Sequence, residues 1–133
     1  MFVDASAMVA MLTDEPEGDR LARVLGGARA PITSAIAVYE TAARLMSKSS
    51  LSGEEARRAV ADFLRVAGVR IVPVGEREAE MALQAFERFG KRRHPANLNM
   101  GDCFAYACAK AHSAPLLFIG DDFSQTDVNA PQP

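Results

Sequence analysis

Short apolar segments alternate with longer segments of helical periodicity along the chain, and this alternation limits the possible folds more than any other feature. Strands are predicted at residues 1–3, 30–33, 69–73 and 116–119. The intervening segments carry apolar residues at helical spacing and are long enough to connect parallel strands. The sequence therefore predicts an α/β fold around a parallel sheet.

Capping residues mark where the predicted helices begin and end. Ser34 and Ser52 are predicted N-caps, while Gly68 and Gly90 are predicted to end helices. The predicted helices cover residues 7–13, 14–25, 35–46, 52–66, 76–89 and 100–112. A single long loop at 91–99 separates the last two.

Length and composition limit the class of protein. With 133 residues, of which 49% are hydrophobic and 24% charged, the chain is expected to be a single domain over 1–133 that is neither disordered nor disulfide-rich. The formal charge of −2 gives no overall basic field, so any nucleic-acid contact must come from a local patch. Cys103 and Cys108 match neither a redox nor a zinc spacing. Without a signal peptide or membrane-length apolar run, a reduced, cytoplasmic protein with no membrane contact is expected.

Acidic residues follow two of the predicted strands. Asp4 follows the first, and Asp121 and Asp122 follow the last. The carboxyl ends of parallel strands meet at one edge of a sheet, where sites form near the reversal of strand order. Glu40 and Asp102 stand among small or apolar neighbours in predicted helices, where an inward-facing carboxylate is costly unless something pairs it. A shared cation would pair all of these acids.

The residue types indicate which cation this is. Carboxylates without histidine or cysteine favour Mg²⁺, or Mn²⁺, over zinc or copper. Such ions support phosphodiester hydrolysis, because they activate water and screen charge on the phosphate. Each acid alone also has a structural explanation, as a turn residue, a solvated helix residue or a favourable charge at a helix N-terminus. The occurrence of all of them together favours a site.

Four runs of sequence carry a resemblance to a known family. They are Phe2-Val3-Asp4-Ala5-Ser6-Ala7, Thr33-Ser34 followed by Glu40, Asn99-Met100-Gly101-Asp102-Cys103-Phe104-Ala105-Tyr106-Ala107, and Leu117-Phe118-Ile119-Gly120-Asp121-Asp122-Phe123-Ser124-Gln125-Thr126-Asp127. In this order they resemble the PIN-domain family, and most closely the VapC-type toxins of bacterial toxin–antitoxin pairs. The resemblance covers the whole chain.

The resemblance implies a Mg²⁺-dependent endoribonuclease with a three-layer α/β/α fold, inhibited by a cognate antitoxin and usually a homodimer. Asp4 and Asp102 match the family's principal metal ligands, and Glu40 matches its second acid. The fourth acid matches Asp122, although the adjacent Asp121 is an alternative ligand. One and two metal ions are both compatible with this set.

Ser6 separates this family from a competing one. It matches a hydroxyl residue that either orients Asp4 or holds a metal-bound water. A phosphotransferase of the haloacid-dehalogenase type needs an acid at that position. A receiver-like phosphoacceptor needs a lysine after its late strand, where this chain has acids. A non-catalytic PIN-like module is expected to lack at least one acid, whereas all four are present here.

The densest basic run is Lys91-Arg92-Arg93-His94, in the loop before the Asp102 helix. One interpretation is that Lys91, Arg92 and Arg93 contact RNA phosphates without sequence preference. The alternative is a solvated loop with no substrate contact.

Overall fold

The computed structural model describes residues 1–131 and contains one four-stranded sheet. Its strands are β1 (Phe2–Val3), β2 (Ile32–Ser34), β3 (Arg70–Val72) and β4 (Leu116–Leu117). All pairs are parallel, and the spatial order is β3-β2-β1-β4. The predicted parallel sheet is confirmed.

Six helices connect the strands and cover the sheet. They are α1 (Ala5–Leu12), α2 (Gly18–Gly26), α3 (Ala35–Ser49), α4 (Gly53–Ala67), α5 (Glu76–Phe89) and α6 (Met100–Ala111), and a 3₁₀ turn follows at Phe123–Gln125. Both residues of β1 and both of β4 are buried, as expected for a parallel sheet with helices on its two faces. The α/β class and three-layer arrangement are therefore confirmed.

The predicted caps lie where the sequence placed them. The Ser34 hydroxyl accepts a hydrogen bond from the Ala37 amide at 3.2 Å and begins α3. Ser52 forms a reciprocal capping box with Glu55 at the start of α4. Gly68 ends α4 with a φ of 65°, a left-handed conformation that favours glycine.

Some boundaries differ from prediction for local reasons. Helix α1 begins at Ala5, not residue 7, because the Asp4 carboxylate itself caps the helix. Strand β4 ends at Leu117, not residue 119, since the Ile119 amide donates to the Ser6 hydroxyl instead of a neighbouring strand. Helix α3 continues three residues beyond 46, to Ser49.

The two cysteines lie on α6, and both are buried and unpaired, as expected. Burial raises the pKa of each thiol to about 11, so both stay protonated at neutral pH. Within residues 1–131, no helix has the length and apolar character required to cross a membrane.

Candidate active site

Asp4 lies at the carboxyl end of β1, between β2 and β4. Its amide donates to the Leu117 carbonyl at 3.0 Å, which fixes it beside the end of β4. Strand order reverses between β1 and β4, so Asp4 occupies the position where open parallel sheets form sites. The residue is only 5% exposed, and burial raises the pKa of its carboxyl group.

Ser6 holds the Asp4 carboxylate in place. Asp4 Oδ2 accepts hydrogen bonds from the Ser6 amide at 2.9 Å and from the Ser6 hydroxyl at 2.5 Å. The same hydroxyl accepts from the Ile119 amide at 3.1 Å. Ser6 therefore connects the first acid to the segment that leads from β4 to Asp122, an arrangement consistent with an orienting role.

Asp102 is held by the first turn of α6. Its carboxylate accepts a hydrogen bond from the backbone amide of Asn99 at 3.0 Å. The side-chain carbonyl oxygen of Asn99 accepts a hydrogen bond from the backbone amide of Asp102 at 2.9 Å. This capping box restricts the Asp102 side chain while leaving it half-buried. Glu40, half-buried on α3, places its carboxyl group against Gly101 of the same turn.

The acids influence one another electrostatically. Burial raises the pKa of Glu40 to about 7, and the negative charges of Asp4 and Asp102 act in the same direction. Burial also raises the pKa of Asp102 to about 6, with additional contributions from the charges of Asp4 and Asp122, although the Asn99 amide opposes them. Four carboxylates from four separate segments thus lie in one region of negative charge.

The two consecutive acids after β4 have different surroundings. Both are exposed, but Asp122 is the one whose charge raises the pKa of Asp102. Asp121 lines a groove that also contains Glu17 and Arg20 of α2. Of these two acids, Asp122 is therefore the one that acts electrostatically on Asp102.

The acids lie in the same region but are not arranged as a complete set of metal ligands. Within residues 1–131, no three acidic, histidine or cysteine side chains are close enough together to hold a metal ion as they stand. Like charges repel, so closer approach of these carboxylates requires a positive charge between them. The all-oxygen donor set fits Mg²⁺ or Mn²⁺, which are bound by carboxylates and water.

Two residues at the site were not identified from the sequence. Arg44 lies one helical turn after Glu40, and its charge lowers the pKa of Asp4, Glu40 and Asp102. The four-residue spacing from Glu40 is a signal that could have revealed it. Gly101 contacts the Glu40 carboxyl group across two helices, a relation that no local pattern encodes.

The basic run lies in the loop between α5 and α6. Lys91, Arg92 and Arg93 are exposed, and none of them contributes to the pKa shifts of Asp4, Glu40 or Asp102. The Arg93 guanidinium lies 5.3 Å from the centre of the Phe86 ring. The loop is closed at its base, where the Lys91 amide donates to the Leu98 carbonyl at 2.9 Å.

An acidic cluster at the switch point of a parallel sheet is typical of metal-dependent phosphodiesterases. The sequence model of the PIN domain matches residues 1–129. The chain is 42% identical over 130 residues to Ribonuclease VapC of Mycolicibacterium smegmatis, covering 98% of each chain. It is 39% identical to Ribonuclease VapC30 of Mycobacterium tuberculosis, covering 96% of this chain and 95% of the relative.

A solved structure has the same fold. Mycobacterium tuberculosis VapC20, described as a Sarcin-Ricin loop cleaving toxin, superposes with a TM-score of 0.78 over 99% of this chain and 98% of its own, at 21% identity. The chain belongs to the PIN-domain family, and within it to the VapC ribonucleases. It is accordingly a ribonuclease of the toxin–antitoxin class, whose members depend on a metal, act on RNA and pair with an antitoxin.

Proposed function

We propose that this VapC-type toxin is a Mg²⁺-dependent endoribonuclease, with Mn²⁺ as a substitute, and that Asp4, Glu40, Asp102 and Asp122 hold the cation. The observation that carries the proposal is the placement of Asp4 beside the end of β4 and of the Glu40 carboxyl group against the turn of α6 that bears Asp102. The charges of these acids also help to raise the pKa values of Glu40 and Asp102. A divalent cation bound there would offset the repulsion between these carboxylates. When bound, it also supplies Lewis acidity toward water and the scissile phosphate.

The residues of the chain fix the geometry in which this chemistry takes place. Ser6 holds Asp4 through two hydrogen bonds, and Asn99 holds Asp102 through the capping box. These restraints reduce the reorganisation needed when substrate binds. Arg44 supplies positive charge beside the cluster and offsets part of its negative charge.

Conversion of single acids to amides tests the proposed site. Asp4→Asn and Asp102→Asn should each abolish Mg²⁺-dependent RNA cleavage with circular dichroism unchanged, because the amide keeps the shape and loses the charge. Asp19→Asn, at an exposed position on α2, is the matched control. Cleavage near the wild-type rate by either site variant would refute the assignment.

The proposal extends to the antitoxin, which inhibits by covering an apolar groove and directing an arginine at Asp4, Glu40, Asp102 and Asp122. The groove between α3 and α4 suits this role. It has a volume of about 790 Å³, and its lining includes Val38, Tyr39, Ala42, Met46 and Leu64. Tyr39 lines the groove and immediately precedes Glu40 on α3, so a segment bound in the groove lies along the helix that carries one of the acids. A guanidinium can bridge two carboxylates and occupy the space of the cation.

The remaining parts of the proposal are a homodimer and a cytoplasmic location. A second apolar face, between α5 and α6, exposes Leu83 and Met100 by 61% and 69%. A second copy of the chain covers this face in the proposed dimer. The two buried, protonated thiols of α6 are typical of a reducing compartment, which supports the cytoplasm.

Two substitutions that introduce a negative charge test the two apolar faces separately, and each variant is the control for the other. Met46→Glu should abolish co-purification with the product of the adjacent small reading frame and restore cleavage in its presence, without changing the mass of the free toxin by light scattering. Leu83→Glu should convert a dimer into a monomer and leave antitoxin binding intact. If the Met46→Glu variant still binds the antitoxin, the α3–α4 groove is not the antitoxin site. If the wild-type protein is a monomer, the proposed dimer is wrong.

A further inference from the structure

Gly101 leaves no room for a side chain, because the Glu40 carboxyl group lies against it. No other glycine of residues 1–131 has a carboxylate this close to the position that a Cβ atom would take. A Cβ atom placed on Gly101 would lie 2.3 Å from Glu40 Oε1, 2.4 Å from Oε2 and 2.5 Å from Cδ. Ordinary van der Waals contact begins at 3.4 Å. The Glu40 carboxyl group therefore occupies the volume that a side chain at residue 101 would fill.

Backbone conformation does not explain this glycine. Positive φ angles among the described glycines occur at Gly68 and Gly120, whereas Gly101 lies in the first turn of α6. A glycine inside a helix is less favourable than alanine. Close backbone packing does not explain it either. The nearest obstructions at Gly18 and Gly90 include carbonyl oxygens, but at Gly101 the three nearest atoms all belong to the Glu40 carboxyl group.

We propose that Gly101 is a positioning residue for Glu40: the missing side chain lets the Glu40 carboxylate lie against α6, beside Asp102 and within reach of the shared divalent cation. A methyl group at residue 101 pushes the carboxylate away by about 1 Å, the difference between 2.3 Å and ordinary contact. The obstruction is the far end of a flexible side chain, so the fold accepts the methyl group and the carboxylate moves. This inference rests on the proposed metal-binding role of Glu40.

Mn²⁺ titration of metal-free protein, followed by electron paramagnetic resonance, measures the effect without depending on cleavage. Gly101→Ala should weaken Mn²⁺ binding by about 10–100-fold, the usual loss when a residue supporting a metal ligand is changed. Its metal-free melting temperature should equal or exceed that of the wild type. Gly26→Ala is the matched control, because Gly26 is also helical and a Cβ atom there meets nothing within 4 Å; its Mn²⁺ affinity should not change.

Substitutions at Glu40 assign the effect to the contact. Asp is one methylene shorter than Glu and leaves room for the added methyl group, so Glu40→Asp should recover part of the affinity lost in Gly101→Ala. In the wild-type background the same substitution should weaken binding. A pair in contact gives such non-additive effects, whereas independent sites give additive ones. The Glu40→Asp background also provides a second test if Gly101→Ala alone folds poorly. In that background, adding Gly101→Ala should change the Mn²⁺ affinity by less than threefold.

The outcomes distinguish this inference from the proposed function. Glu40→Gln with wild-type Mn²⁺ affinity would show that Glu40 is not a ligand, and the proposed role of that residue would fail. If Glu40→Gln binds Mn²⁺ more weakly than the wild type but Gly101→Ala binds it equally well, only the positioning role of Gly101 is overturned. Loss of affinity in Gly101→Ala without recovery by Glu40→Asp would also overturn it, because the effect would not act through Glu40.

Discussion

Asp121 and Asp122 are neighbours in the chain, yet the two residues have different surroundings. Asp122 shares the electrostatic environment of Asp102, while Asp121 lines the groove beside Arg20. Asp122→Asn should lower the rate of Mg²⁺-dependent cleavage by about tenfold or more, which corresponds to roughly 1.4 kcal/mol. Asp121→Asn is the matched control and should retain wild-type activity in the same RNA cleavage assay. If Asp121→Asn instead cleaves RNA more slowly than Asp122→Asn, the fourth acid is Asp121.

The raised pKa of Glu40 also predicts how stability depends on pH in the metal-free protein. The folded-state pKa of about 7 lies above the ordinary value of 4.5, so the folded state binds the proton more tightly than the unfolded state. Stability should therefore fall as the pH rises from 4.5 through about 7, and the loss should be complete above that. A tenfold change in proton affinity is worth about 1.4 kcal/mol, but solvent screening of this half-buried carboxyl group reduces the total loss to roughly 1–2 kcal/mol.

Urea unfolding in the presence of a chelator, at several pH values, measures this dependence. Glu40→Gln carries no ionisable group at the position and should show a flatter profile over the same range. Identical profiles for the two proteins would mean that Glu40 does not titrate with a raised pKa.

At the scale of elements, α6 and the loop before it carry charges of opposite sign. The first turn of α6 carries Asp102 and Gly101, and the loop before it presents Lys91, Arg92 and Arg93 to solvent. The loop is anchored at its base, and these three side chains lie on its exposed part. This arrangement suits contact with RNA phosphates outside the catalytic centre.

Replacing Lys91, Arg92 and Arg93 together by alanine should weaken RNA binding and flatten its salt dependence. Three lost phosphate contacts on single-stranded RNA would change the slope of log K against log salt by about 2. Binding is measured in the non-cleaving Asp102→Asn background. Replacing Arg57, Arg58 and Arg65 of α4 by alanine removes the same total charge and is the control. Equal slopes for the two triple variants would identify the 91–93 run as a solvated loop.

At the scale of the whole molecule, a cation held at the proposed site would link that site to folding. The site draws on β1, α3, α6 and the segment after β4, so a ligand bound there stabilises the folded chain as a unit. Mg²⁺ at 100 times its dissociation constant should add about 2.7 kcal/mol to the free energy of unfolding. For a chain of this size that is a rise in melting temperature of roughly 8–14 °C.

Asp102→Asn should show less than half of this Mg²⁺-induced rise in a calorimetric melt, because it removes one ligand charge while the amide oxygen preserves the capping bond to Asn99. The exposed Asp19→Asn variant should respond like the wild type. Equal shifts for wild type and Asp102→Asn would argue against a shared metal site.

Much of the architecture followed from local patterns. Four strands, six helices and the caps at Ser34, Ser52 and Gly68 were predictable, because apolar periodicity and capping chemistry act over a few residues. The placement of Asp4 and the acids after β4 at one sheet edge was also predictable, since parallel strands end on the same side. Strand ends were less predictable because β4 stops where Ser6 takes the next amide hydrogen bond.

The sequence by itself determined the parallel α/β fold, the positions of the proposed site acids and the family resemblance, which all depend on local spacing or on the order of motifs. Only the tertiary structure decided the strand order β3-β2-β1-β4, the difference between Asp121 and Asp122, and the contact of Gly101 with Glu40. These depend on which segments pack together after long stretches of intervening chain. Residues 40 and 101 have no spacing rule that relates them, and their contact is set by the packing of α3 against α6.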